Sequence, residues 1–147
     1  MGADLYIDCI YNANHKKYEK KFDEAIAERN KYESKTKEYD EAHEKVSELY
    51  SKMYSKGYFR DSYNDSSLFW MLDLSWWDLS EKKILRYQMN VEKTKKLKEL
   101  VTSREEILVS KLNGEDKDKI EYFMYRYRRL LKFLDEAIEA GGFTAST

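Results

Sequence analysis

The sequence predicts a mainly α, single-domain helical bundle, and three observations carry this prediction. The 147 residues contain no proline and only five glycines, and proline is the residue that most strongly interrupts a helix. Lys, Glu, Leu and Ala are abundant, and apolar residues recur in steps of three and four, as on one face of a helix. We expect one long N-terminal helix, an aromatic-rich connecting segment at residues 57–79 that contains all three tryptophans, and two C-terminal helices, preceded by a short extended segment.

The extended segment is predicted for residues 1–14. Its LYIDCIY run contains apolar and β-branched residues, a composition that favours a strand. A lone strand has no partner inside an otherwise helical domain. We therefore expect it to lie across the helices or to pair with another chain.

The long helix is predicted for residues 15–56, which contain no glycine. A heptad seam runs through this segment from Tyr18 to Met53. The alternative is a break into two helices at residues 34–36, and we favour one helix that Gly57 closes as a C-cap. The seam and the unpaired strand together predict a homodimer, which would bury both features symmetrically.

The remaining elements are predicted from their capping residues. Asp65 or Ser66 can cap a short helix, and Ser75 or Ser80 can start another turn. Asn90 is expected to begin a helix that ends near Leu112. Asp116 is expected to begin the last helix, which ends at Gly141-Gly142, and residues 143–147 are expected to form a flexible tail.

Composition argues against several classes of protein. The 27 basic and 28 acidic residues are interspersed along the chain and leave a formal charge of −1. Because no broad basic surface is expected, we expect no general nucleic-acid binding. The single cysteine, Cys9, cannot form a disulfide within the chain. Because no apolar run is long enough for a membrane span or a signal peptide, we expect a cytoplasmic protein without a membrane partner.

No motif of catalysis or of metal binding stands out. The acidic residues near the aromatic segment lack the spacing of a calcium-binding loop. Asp40 and His43 form only half of a di-metal carboxylate pattern. Without a phosphate loop or a nucleophile elbow, we expect no enzymatic activity, no catalytic residue, no metal and no cofactor.

The most suggestive polar residues are arginines placed among aromatic residues. A planar guanidinium binds phosphate in a bidentate manner, and aromatic rings stack on bases. The structural alternative is that these arginines pair with nearby acids and stack on tyrosines without any ligand. Seven residues form the candidate ligand site: Arg60, Tyr63, Trp76, Trp77, Tyr122, Arg126 and Arg129.

Three blocks of the chain resemble those of a group of small uncharacterised bacterial and phage helical proteins. The blocks are MGADLYI, GYFRDSYND and LSWW, about 30 residues in all. The resemblance implies a helical single domain and a bacterial or viral source, and it brings no activity.

Together these observations predict a non-enzymatic binding protein. The first hypothesis is a phage-encoded protein that acts on a bacterial antiviral system by sequestering a small, nucleotide-like anion. The alternative is a protein–protein interaction module or inhibitor, which would use the tryptophan-rich segment and the heptad helix as its contact surface.

Overall fold

A computed structural model of the chain describes residues 2–80 and 83–147, which fall into two compact units. One unit is Asp8–Gly57, and the other combines the chain up to Ile7 with Tyr58–Thr147. Whether the chain acts as a single domain stays a prediction.

The first unit is a hairpin of two helices, α1 (Asp8–Arg29) and α2 (Lys37–Met53). Ala25 of α1 and two residues of α2, Val46 and Leu49, are buried between the helices. These residues belong to the apolar stripe that the sequence shows, and the two halves of that stripe pack against each other.

The prediction of one helix over residues 15–56 is wrong, because the polar middle of the seam is a turn. Lys35 has a left-handed backbone with φ of 70°. The Thr36 hydroxyl accepts a hydrogen bond from the Tyr39 amide at 3.2 Å and caps α2. The local cap and the lack of buried residues between α1 and α2 favour two helices over one.

The second unit contains an antiparallel sheet of four strands in the order β2-β1-β4-β3. The strands are β1 (Gly2–Tyr6), β2 (Tyr58–Ser62), β3 (Arg86–Asn90) and β4 (Gly142–Ser146). Its helices are α3 (Leu68–Met71), α4 (Val91–Ser103), α5 (Glu105–Leu112) and α6 (Lys117–Ala140), with a 3-10 turn at Trp76–Leu79.

One face of the sheet packs against helices, and the other carries polar side chains. Alternate residues of β1 and β2 are buried, as the twofold repeat of a strand requires, whereas β3 has one buried residue, Met89, and three consecutive residues of β4 are buried. Helix α6 lies on the buried face and contacts β2, β4 and α4. The buried residues of the sheet and α6 include Leu5, Phe59, Phe143, Ala145, Tyr127, Leu130, Leu134 and Ala137.

The prediction of a mainly α helical bundle with one extended segment is therefore wrong, because the chain also contains this four-stranded sheet. The extended segment ends at Tyr6 and pairs inside the chain with β2 and β4, while α1 begins at Asp8. Residues 143–147 are not a flexible tail, because β4 lies between β1 and β3. The heptad seam and the N-terminal strand, on which the homodimer prediction rests, thus both find partners within one chain. The homodimer itself stays a prediction.

The capping residues locate most helix ends correctly. The Asn90 side chain accepts from the Lys93 amide at 2.8 Å, and Asp116 accepts from Lys119 at 2.9 Å. Gly141 closes α6 with φ of 101°. Three details differ. The helix from Asn90 ends at residue 103, where α5 follows after one residue, and Ser67 caps α3 instead of Asp65 or Ser66. Helix α2 ends at Met53 with Tyr54 at its C-cap, so the prediction that Gly57 closes a helix is wrong.

Candidate functional site

A buried carboxylate, Asp61, organises the aromatic segment. It lies on β2, is completely buried, and accepts hydrogen bonds from the backbone amides of Leu68 and Phe69 at 2.8 and 3.0 Å. The Ser67 hydroxyl donates to it at 3.2 Å. These donors include the first amides of α3, so a negative charge sits at the start of that short helix and holds it against the sheet.

Trp76 is part of the same cluster and belongs to the core. Its indole Nε1 donates to Asp61 at 2.7 Å. Its ring stacks on Phe69 with an interplanar angle of 2°, and no part of the side chain is exposed. This geometry supports the structural alternative for Trp76, because a ligand could reach it only if the core opened.

The neighbouring tryptophans have the opposite environment. Trp70 and Trp77 are 46% and 42% exposed. The aromatic segment is therefore both core and surface, and two adjacent residues, Trp76 and Trp77, divide between these roles. Exposed tryptophans are enriched at protein contact surfaces.

Arg126 of α6 ties that helix to the edge of the sheet. Its Nη2 donates to the carbonyl oxygen of Arg60 and lies 3.7 Å from an Asp61 oxygen. The guanidinium lies 5.0 Å from the ring centre of Phe59 and 5.8 Å from that of Tyr122. Since Nη2 already bonds to β2 and the guanidinium lies against two aromatic rings, Arg126 has a structural role in this arrangement.

Arg60 of β2 points to the polar face of the sheet, where it pairs with Asp4. Its Nη1 lies 2.7 and 2.9 Å from the two carboxylate oxygens. The Tyr58 hydroxyl donates to the same carboxylate at 2.5 Å. Burial, the hydrogen bond to Asp4 and its charge raise the pKa of Tyr58 above its usual range. An anionic ligand would have to compete with Asp4 for Arg60.

A strip of aromatic and basic residues runs along the exposed side of α6. Tyr122, Tyr125, Arg126 and Arg129 occupy positions i, i+3, i+4 and i+7, which lie on one helix face. Tyr122 and Tyr125 are 45% and 55% exposed. Arg129 is exposed and lies 5.9 Å from the ring centre of Tyr125. We call these four residues the α6 strip.

The two arginines of the α6 strip differ in their acidic neighbours. Arg126 has Asp61, whereas no carboxylate of the described residues lies within ion-pair distance of Arg129. Among the described residues, the contact of the Arg129 guanidinium is with the Tyr125 ring, and its exposure leaves it accessible to an external anion.

The seven candidate residues do not form one pocket. Trp76 is in the core, the Arg60 side chain lies on the polar face of the sheet, and Tyr63 donates to the carbonyl of Thr147 at 3.4 Å. Only Tyr122, Arg126 and Arg129 share a surface, on α6. The role of the seven in ligand binding stays a prediction.

Sequence reasoning missed Asp4, gave Asp61 no place in the candidate site and left Tyr125 out of it. Asp4 was hidden because its partners lie more than 50 positions away. A carboxylate just before an aromatic segment with helix caps is the signal that could have found Asp61. Tyr125 was visible from its spacing to Arg129.

Comparison with protein-family models, with curated proteins and with solved structures gives no match. In the described part of the chain, no helix combines the length and the apolar character of a membrane span.

Proposed function

We propose that this chain is a protein–protein interaction module whose contact surface is the α6 strip and whose partner presents an acidic surface. The observation that carries the proposal is the pair of exposed tyrosines, Tyr122 and Tyr125, each with an arginine stacked on it. Tyrosine and arginine are enriched among the residues that dominate the binding energy of protein interfaces, and tyrosine buries a large area while only two side-chain torsions become fixed.

The shape of the surface supports a macromolecular partner. Small ligands bind in concave sites that enclose most of their surface. The α6 strip is the exposed side of one helix, and its residues at i, i+3, i+4 and i+7 match the way a helix docks against a partner. Arg128 and Lys132 are also exposed or partly exposed on α6 and add positive charge, which favours an acidic surface on the partner.

The partner can be sought with the purified chain immobilised and exposed to an extract of the organism that encodes it. Proteins retained by the wild type should be lost with the double variant Tyr125→Ala, Arg129→Glu. Removal of one interface hot spot costs at least about 2 kcal/mol, or about 30-fold in affinity. The matched control is Tyr50→Ala, which truncates a tyrosine of similar exposure on α2 and should keep the partner.

The proposal is overturned if the double variant retains the same proteins as the wild type. It is also overturned if Tyr50→Ala loses them to the same extent, because the contact would then not depend on α6.

A second candidate function is the sequestration of a small, nucleotide-like anion. It is favoured by one observation, the exposed Arg129 guanidinium stacked on Tyr125 without a carboxylate partner among the described residues. A base could stack on the ring while the guanidinium binds a phosphate. Calorimetry with mono-, di- and cyclic nucleotides tests it: heat that is lost in Arg129→Ala supports this function, and no heat from any of them rejects it.

The suggested action on a bacterial antiviral system is compatible with either function. It rests on an analogy from the size of the chain and from the bacterial or viral source that the resemblance implies, and the partner or ligand recovered in these experiments would test it directly.

A further inference from the structure

The two edge strands of the four-stranded sheet, β2 and β3, differ in whether a side chain covers their outward backbone groups. At the β2 edge, Arg126 donates to the outward carbonyl of Arg60 and occupies the position that an added strand would need. Covering an edge in this way prevents pairing with another chain. The β3 edge carries no such side chain among the contacts of the described residues.

The backbone of β3 presents hydrogen-bonding groups at that edge. The carbonyl of Leu85 accepts from the Thr147 amide at 2.7 Å, which extends the pairing of β3 with β4. In an antiparallel pair every second residue bonds to the partner. Tyr87 and Met89 therefore bond toward β4, while Arg86 and Gln88 direct their N–H and C=O groups away from the sheet.

Apolar side chains lie next to this edge. Ile84 and Leu85, immediately before β3, are 45% and 65% exposed. Exposed apolar residues beside an unpaired edge favour strand addition, because one contact then buries apolar area and satisfies backbone groups together.

We propose that a second copy of this chain pairs with it through β3, antiparallel and about a twofold axis at Tyr87. The two sheets would then join into one continuous sheet. This surface is independent of the α6 strip, so the inference does not rest on the proposed function.

The side chains of β3 fit this self-pairing. With the axis at Tyr87, Arg86 of each copy lies opposite Gln88 of the other, and the backbone groups of these two residues bond to each other. Arg86 is exposed, and its guanidinium lies 6.0 Å from the ring centre of Tyr6. A register that placed Arg86 opposite itself would set like charges face to face, which is unfavourable.

The same register covers the exposed apolar residue of the edge. Leu85 of each copy lies opposite Met89 of the other, on the side of the sheet that faces the helices. Because the contact is symmetric, the backbone hydrogen bonds and the burial of Leu85 both occur twice, once on each side of the axis.

The decisive variant is Gln88→Pro, with Gln88→Ala as its matched control. Proline removes the N–H of residue 88, which points away from β4, so the bonds inside the chain stay intact, and an edge strand tolerates proline at such a position. Sedimentation velocity from about 1 to 100 μM should show the wild type and Gln88→Ala at twice the 17.7 kDa chain mass. Gln88→Pro should weaken the dimer at least about tenfold, because each copy loses a donor and leaves a carbonyl unpaired.

A second variant keeps the test valid if Gln88→Pro does not fold. Leu85→Lys places charges inside the proposed contact, while Val109→Lys alters an equally exposed apolar residue on α5. Leu85→Lys should be monomeric and Val109→Lys should match the wild type. A monomeric wild type across the concentration range, or a Leu85→Lys variant that dimerises like the wild type, overturns the proposal.

Discussion

Removal of the Asp61 carboxylate should destabilise the second unit more than any other single polar change. Asp61→Ala leaves two buried backbone amides and the Trp76 indole N–H without their acceptor. Each buried donor left unsatisfied costs about 1 to 3 kcal/mol, and the nearby Arg126 loses its acidic neighbour. Because the donors share one acceptor and can relax together, we expect a total loss of about 3 to 5 kcal/mol in the free energy of unfolding.

The isosteric variant Asp61→Asn separates hydrogen bonding from packing. One Asp61 oxygen, Oδ2, accepts from Ser67, Phe69 and Trp76. An amide nitrogen at either position would face donors, since Oδ1 accepts from the Leu68 amide. We expect Asp61→Asn to lose nearly as much stability as Asp61→Ala, although its side chain has almost the same volume.

Urea unfolding followed by tryptophan fluorescence measures this loss. Every tryptophan of the chain lies in the second unit, so the signal reports that unit alone. A loss of about 4 kcal/mol is a large part of the roughly 5 to 15 kcal/mol typical of a native protein. It should lower the melting temperature by about 10 °C or more.

The control is Asp65→Ala, four residues further along the chain and exposed, which should stay within about 0.5 kcal/mol of the wild type. If Asp61→Ala and Asp61→Asn both unfold within about 1 kcal/mol of the wild type, the carboxylate does not anchor the aromatic segment, and the account of this cluster is wrong.

Two further predictions concern the same unit. Trp76→Ala should lower the free energy of unfolding by about 3 to 5 kcal/mol because its ring is fully buried, whereas Trp77→Ala should lower it by less than about 1 kcal/mol. Equal losses in urea unfolding would contradict the buried and exposed environments of the two side chains. Gly142→Ala should be destabilising, because its φ is 120° and a Cβ would lie 2.1 Å from a carbonyl oxygen of β3, while Gly114→Ala has open space and bears only the backbone cost at φ of 84°. If thermal melts show the same loss of stability for both glycine variants, the contact between the added Cβ at residue 142 and β3 does not determine that loss.

The helices of the second unit could largely be predicted because their signals are local. Asn90 and Asp116 each cap a helix through a hydrogen bond to the amide three residues later. Such a bond depends on neighbours in sequence and needs no knowledge of the fold. The same reasoning placed the closing glycine of α6 at residue 141, where the positive φ is observed.

The sheet could not be predicted because its strands are short and their pairing is distant. Each strand has five residues, too few for an alternating pattern to stand out. β1 was expected to be extended, but its two partners begin at Tyr58 and Gly142. β4 reads as a polar tail, and only the burial of Phe143 and Ala145 against the helices makes it a strand.

The candidate site was predicted by residue type, and the structure separates residues of the same type by what each guanidinium contacts. Arg126 and Arg129 each follow a tyrosine by four positions and stack on its ring at 5.8 and 5.9 Å. Spacing alone therefore makes them equivalent. Arg126 lies beside Asp61 at the sheet edge, a position set by the pairing of strands that the sequence did not show. If the Arg126 guanidinium bound a partner, α6 would lose its contact with β2. The proposed recognition by the α6 strip would therefore depend on Arg129 and the two exposed tyrosines.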